Sequence, residues 1–193
     1  MLPRKHFDSD EALGKAMETF WARGYEATSV QDLVDCTGLD RGSLFATFGD
    51  KRQIFVAALL RYDDRYRKAW VNGLAGAMAP RAVIMSIFED GIAAAFGAKA
   101  REGCLLVNAA LELSPQDPEV GHIAGNAFAE MEGLFRAMIE AAQAEGTIPR
   151  RVVAKEAAAG LLSLFLGLRV LARARPEPCV LHAIKKQAEV LIT

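Results

Sequence analysis

Apolar residues recur along this chain every three or four positions, segment after segment. Nowhere do they settle into the alternate-residue rhythm, rich in Val, Ile and Thr, that builds strands. The period predicts an all-α protein. Its first stripe, Leu13, Ala16, Met17 and Phe20, opens on Asp8 as a cap with Glu11 three residues on, and closes at Gly24. A second, shorter stripe, Val30, Leu33 and Val34, follows the capping pair Thr28 and Gln31 and stops at the turn residue Gly38. Asp40 then caps a third helix carrying Leu44, Phe45 and Phe48, which Gly49 ends. The pair Asp50 and Gln53 opens a long helix through Ile54, Phe55, Ala58, Leu59, Tyr62, Tyr66 and Trp70 toward Met78, broken at Pro80. Gly and Pro punctuation divides the rest into helices at about Arg81 to Lys99, Gly103 to Leu113, Asp117 to Ala144, Arg151 to Arg173 and Glu177 to Ile192.

Two short helices joined by a tight glycine-containing turn are the geometry that presents a recognition helix to the DNA major groove, and residues 28–47 have that layout. The first of the pair would lie across the DNA backbone, with its N-terminal amides and the Thr28 and Ser29 hydroxyls toward phosphate. The first turn of the second carries Arg41, Gly42 and Ser43. Arg can grip guanine with two hydrogen bonds, Ser can donate or accept, and Gly lets the backbone approach closely. Lys51 and Arg52, opening the next helix, are placed to meet a phosphate; the plainer alternative is that these cations form only a solvated surface.

Charge narrows this expectation. The formal net charge is −1, so any DNA-binding surface must be local. Over half of the residues are hydrophobic, as a soluble globular protein requires. The longest apolar run, Ala157 to Leu168, falls short of the ~20 residues of a spanning helix and reads as a buried helix without a membrane. Cys36, Cys104 and Cys179 are odd in number and unpaired by spacing, which points to a reducing, cytoplasmic setting. The start of the chain turns acidic at Asp8 and Asp10 with no apolar segment, so no export signal is expected. His6, His122 and His182 are scattered, and the carboxylates sit at helix starts or on polar faces. Neither a metal site, nor a catalytic constellation, nor a cofactor loop is predicted.

The segments Phe20-Trp21-Ala22-Arg23-Gly24-Tyr25-Glu26-Ala27-Thr28-Ser29-Val30-Gln31-Asp32-Leu33 and Thr37-Gly38-Leu39-Asp40-Arg41-Gly42-Ser43-Leu44-Phe45-Ala46-Thr47-Phe48-Gly49-Asp50-Lys51 closely resemble the N-terminal signature of tetracycline-repressor (TetR) family regulators. The resemblance implies a homodimer with a helix-turn-helix head, residues 1–50, and a helical effector-binding and dimerisation domain, residues 51–193. It implies repression of a pseudo-palindromic double-stranded operator, relieved by a small molecule. By motif position, Arg41, Gly42, Ser43, Phe45 and Thr47 fall where the family contacts DNA, and Thr28, Ser29 and Lys51 where it contacts the backbone. The family often carries Tyr at the position of Phe45 and His at that of Thr47, so a phenolic phosphate contact is absent here. Val34, Cys36 and Thr37 stand where smaller residues are common.

Beyond about residue 55 the resemblance is one of length and helical layout. The stretch Gly103-Cys104-Leu105-Leu106-Val107-Asn108-Ala109-Ala110-Leu111-Glu112-Leu113-Ser114-Pro115 resembles a segment of a subset of these regulators, some of which sense electrophiles or oxidants through a cysteine. Cys104 in a first helical turn near Lys99 and Arg101 would favour thiolate, the alternative being an inert packing thiol. An effector pocket, mainly apolar, would draw on Phe88, Ile92, Phe96, Cys104, Asn108, Phe128, Met131 and Phe135, residues that can equally be plain core. The helix from Arg151 offers small and large residues, Ala157, Gly160, Leu161, Leu164, Gly167 and Leu168, for close packing. With Val180, Ile184, Ala188 and Leu191 of the last helix it suits a four-helix dimer interface.

Overall fold

The computed structural model describes residues 8–74 and 78–193. His6 and the stretch 75–77, through which the periodicity carries the long helix, lie outside them. The described residues are helical throughout, without a strand: α1 (Ser9–Arg23), α2 (Val30–Thr37), α3 (Arg41–Phe48), α4 (Lys51–Tyr62), a π-helical turn (Asp63–Lys68), α5 (Ala69–Leu74), α6 (Pro80–Ala94), α7 (Leu105–Glu112), α8 (Pro118–Ala144), α9 (Ala154–Ala174) and α10 (Pro178–Leu191). The all-α reading holds, with ends shifted by a few residues. The largest shift is in α6, which stops at Ala94 instead of near Lys99 and gives way to turns.

Local chemistry accounts for the head. The Asp8 carboxylate accepts from the Asp10 and Glu11 amides at 2.9 and 3.4 Å, satisfying donors that the first turn of α1 leaves orphaned. Gly24 ends α1 at φ 87° and Gly38 ends α2 at φ 71°, a region that a side chain would strain. Asp40 caps α3 and Asp50 caps α4, the latter in a reciprocal box with Gln53.

The capping pair expected at Thr28 and Gln31 sits one residue later, at Ser29 and Asp32. Both candidate caps have a hydroxyl, and burial decides between them. Thr28 is fully buried and its hydroxyl donates to the Gly24 carbonyl at 2.7 Å, while Gln31 turns to Asp35 at 2.7 Å.

Two apolar cores organise the chain. One, built on Phe88, Phe135, Leu161 and Leu168, joins α6, α8, α9 and α10. The other joins Phe20, Leu33, Leu44 and Phe55 of the head to Leu105, Leu106, Ala109 and Leu113 of α7 and its end, and to Val120 and Ala127 of α8. Each fully buried Phe or Leu contributes about 1.5–3 kcal/mol by leaving water, so the head takes a good part of its stability from helices more than fifty residues away. Where the cores meet, the helix after α4 widens into its π turn. There the buried Asp63 carboxylate accepts from Arg67, and Arg67 also donates to Glu130 at 2.6 Å.

Candidate functional site

Helices α2 and α3 are locked together by Leu33 and Leu44, both with no exposed surface, and Leu44 is the only fully buried residue of α3. The rest of α3 is therefore turned outward. Arg41, Gly42 and Thr47 are exposed, Ser43 and Phe45 half-buried. The Asp40 carboxylate accepts from the Ser43 hydroxyl at 2.7 Å and from its amide at 3.0 Å, contacts that hold its carboxyl below the usual range. The Ser43 oxygen thus keeps its acceptor lone pairs but not its donor. Thr47 donates to the Ser43 carbonyl at 2.8 Å, and the Arg41 guanidinium lies 5.4 Å from the centre of the Phe45 ring. That cation–π contact orients Arg41 along an exposed helix face while leaving its N–H donors to outside acceptors.

The flanking groups divide. Ser29 is exposed at the start of α2, and the Lys51 ammonium stands 4.3 Å from the Tyr25 ring centre, half-buried at the start of α4. Thr28 is turned inward, as described above, and its hydroxyl is spent on the protein. Arg52, expected at a phosphate, instead grips the start of α8: it donates to Asp117 at 2.6 and 2.9 Å and to Glu119 at 2.7 Å. This bidentate pair lowers the Asp117 carboxyl pKa and raises that of Arg52. At the start of α2, the Ser29 hydroxyl and amide, and then Arg23, hold the Asp32 carboxyl down at about 2. The helix N-terminus expected to face phosphate thus already carries an anion of its own.

A second tie joins head to body. The Glu112 carboxylate, last residue of α7, accepts from the amides of Tyr25 at 3.1 Å and Glu26 at 2.8 Å, the turn that leads into α2. The carboxylate fits against Gly24, where a Cβ would stand 3.1 Å from its oxygen.

At the other end of α7 lies a cavity of about 700 Å³. Trp21 of α1, Tyr62 and Tyr66 around the π turn, Trp70 of α5, Phe128 of α8 and Phe165 of α9 form its aromatic wall. Trp21 packs edge-on to Tyr62 at 4.9 Å and to Tyr66 at 5.0 Å. Of the residues expected to line a pocket, Cys104, Phe128 and Met131 do so. Phe88, Ile92 and Phe135 are core, and Phe96 is 54% exposed outside the cavity. Asn108 satisfies itself by donating to the Glu102 carbonyl at 2.8 Å. Cys104 occupies the N-cap position of α7, beside Tyr62, whose phenol burial pushes well above its ordinary pKa. Lys99, expected to act on Cys104, is ion-paired with Glu18 and stacked 4.4 Å from the Trp21 ring centre.

Known proteins share this arrangement. The family model for bacterial regulatory proteins of the tetR family matches residues 12–58, and that for the tetracyclin repressor-like C-terminal domain matches residues 80–187. The chain is 33% identical over 170 residues to the HTH-type transcriptional repressor ComR of Escherichia coli, covering 88% of this chain and 81% of that protein. The HTH-type transcriptional regulator YezE of Bacillus subtilis is 33% identical over 131 residues, 68% of each. The chain belongs to the TetR family.

Among solved structures, a cysteine mutant of the TetR family regulator CifR, complexed with double-strand operator DNA of 26 bp, superimposes with a TM-score of 0.83 at 30% identity, covering 97% of both chains. The reduced form of NemR from Escherichia coli gives 0.85 at 18% identity over 95% of this chain and 96% of that one, a likeness of fold alone. As a TetR family member this chain is a DNA-binding transcriptional regulator, with the helix-turn-helix head and helical C-terminal body that its periodicity predicts.

Sequence reasoning overlooked Glu112, Asp117, Trp21, Arg169 and Gly103. A lone carboxylate in the Leu105–Leu113 stretch, apolar but for Asn108, was the one available signal for Glu112. Nothing local marks Trp21 or Arg169 as cavity residues, since amphipathic period reports only that a side chain faces inward.

Proposed function

We propose that the protein is a cytoplasmic homodimeric repressor, released from a pseudo-palindromic operator when a small, mainly apolar effector fills the cavity beneath its head. The observation that carries this reading is the composition of the cavity wall. It includes Trp21 of the DNA-binding head and Gly103 and Cys104 at the start of α7, whose far end holds the Tyr25–Glu26 turn through Glu112. A molecule lodged there touches Trp21 of α1 and the start of α7, the two elements that lead on to α2 and α3. Labour divides near residue 50, DNA binding before it and effector binding and dimerisation after it, although the apolar cores interleave across that point.

ComR, and AcnR of Corynebacterium glutamicum, which is 41% identical over 71 residues, are HTH-type transcriptional repressors. In this reading Arg41, Gly42, Ser43, Phe45 and Thr47 face base edges and adjoining phosphates, and Ser29 and Lys51 fix the backbone. Thr28 and Arg52 serve the fold of the head. Dimerisation covers α9: only 28% of its most apolar stretch is buried in the single chain, and Ala159, Ser163, Gly167 and Val170 align small residues along its outer side. A second copy, rather than lipid, accounts for that face.

Arg41→Ala is expected to cost about 1–3 kcal/mol on the specific operator and to relax its sequence preference, whereas Lys51→Ala should weaken all DNA alike and lower the salt slope by about 1. Footprinting with salt titrations reads both, and should also find two half-sites roughly 34–36 Å apart. Unchanged binding in both variants, or one isolated half-site, refutes the assignment.

A second reading is favoured by Cys104 on the cavity wall: an electrophile or oxidant that enters modifies this thiol instead of binding reversibly. Tyr62 stands beside it, and Arg169 lines the same wall. Under this reading Cys104→Ser keeps operator affinity and loses induction by electrophiles in a reporter assay. Full induction in that variant leaves the reversible effector as the working mode.

A further inference from the structure

The effector cavity proposed above also carries information about the charge of its ligand. Four charged side chains line it: Arg67, Asp90, Lys99 and Arg169. Three are already engaged. Arg67 is held by Asp63 and Glu130, Lys99 by Glu18 and the Trp21 face, and Asp90 accepts from the Trp70 indole N–H at 2.7 Å while remaining exposed. Arg169 differs. Among the described residues its one hydrogen bond donates to the Gly103 carbonyl at 3.2 Å, and it has no carboxylate partner. A guanidinium has five N–H donors in a planar fork, and most of those of Arg169 are left for an outside acceptor.

We infer that the cavity binds a small amphiphile bearing one carboxylate, with a planar apolar body against the Trp21, Tyr62 and Trp70 rings and its carboxylate on Arg169. A single guanidinium suits a planar monoanion bound through two parallel hydrogen bonds, and among the described residues of this wall a dianion would find no second free cation. The site is wired to the head: the Gly103 carbonyl accepts from Arg169 and, at 3.1 Å, from the Trp21 indole N–H. A carboxylate that draws the guanidinium away loosens the same carbonyl that anchors α1.

This inference rests on the effector reading and is tested apart from it, by calorimetry on the full chain without DNA. The probes are three compounds sharing one ring system: naphthylacetate, naphthylethanol and naphthylmethylamine. Naphthylacetate should bind roughly tenfold tighter than the alcohol, as a charge-assisted bidentate contact warrants, and the amine more weakly than either. Arg169→Gln should bring the carboxylate down to the affinity of the alcohol while moving the alcohol by less than about twofold, which also shows that the variant is folded. Arg169→Lys, which keeps the charge and loses the fork, should fall between. An alcohol or amine bound as tightly as the carboxylate, a preference that survives Arg169→Gln, or no binding by any of the three overturns the inference. Release of operator by some uncharged compound would then leave the effector reading standing. A clear carboxylate preference in a protein that binds no operator would refute that reading and not this one.

Discussion

Leu44→Ala should abolish specific operator binding while leaving the C-terminal body folded. The recognition helix has eight residues, well below the ~12–15 at which an isolated helix becomes even marginally stable in water, so α3 exists because it is packed. Its packing rests on Leu44, which has no exposed surface and faces Leu33 and the head core, while the half-buried Phe45 and Phe48 only lean against that core. Removing a fully buried leucine side chain costs about 2–5 kcal/mol, a large share of what holds so small a head together. The Asp40 cap remains, but a cap worth roughly 1 kcal/mol does not replace an anchor. Hydrogen exchange should show the amides of α2 and α3 losing protection while those of α8 and α9 keep theirs, and gel-shift affinity for the operator should fall by more than about a hundredfold. A variant that binds operator as tightly as the parent would mean that α3 is held by contacts other than this one.

The second large effect is expected from Val170→Glu. Val170 is 40% exposed on the outer side of α9, so the change should cost the single chain little, yet it places a charge on the face assigned to the second copy. Sedimentation should find a monomer where the parent is a dimer. Operator affinity should then fall by about 10²–10⁴, because two heads joined in one particle bind the second half-site at high effective concentration and a lone head does not. Lys155→Glu, an exposed change near the start of the same helix, is the control and should leave both properties near parent values. A Val170→Glu protein that remains dimeric moves the interface off α9.

The head was legible because its determinants are local. Asp8, Asp40 and Asp50 each cap a helix that begins within a residue of them, and Gly24, Gly38 and Gly49 stop helices where they stand. The displaced cap at Ser29 marks where local reasoning ends: Thr28 and Ser29 are equally competent hydroxyls, and only the apolar surroundings of Thr28 decide which turns inward. Arg52 teaches the same lesson more sharply. Its place at the start of α4 suggested a phosphate contact, but the partners that claim it, Asp117 and Glu119, lie more than sixty residues on. The cavity was partly legible at Cys104, Phe128 and Met131, which follow one another on α7 and α8. It was illegible at Trp21 and Arg169, which come from opposite ends of the chain and meet at the Gly103 carbonyl.

The shared core described for the head has a bearing on how such regulators can be recombined. Phe20, Leu33 and Phe55 are completed by Leu105, Leu106 and Val120, and the turn before α2 hangs on Glu112. A head grafted at residue 50 onto a foreign sensor body would lose that lining and that carboxylate together. The transferable cassette is therefore discontinuous, comprising α1 to α4 together with α7 and the first turns of α8. Because Trp21, Tyr62, Cys104 and Leu106 of that cassette also line the cavity, a biosensor assembled along those seams keeps the address of its operator and exchanges only the part of the wall that α5, α6 and α9 supply.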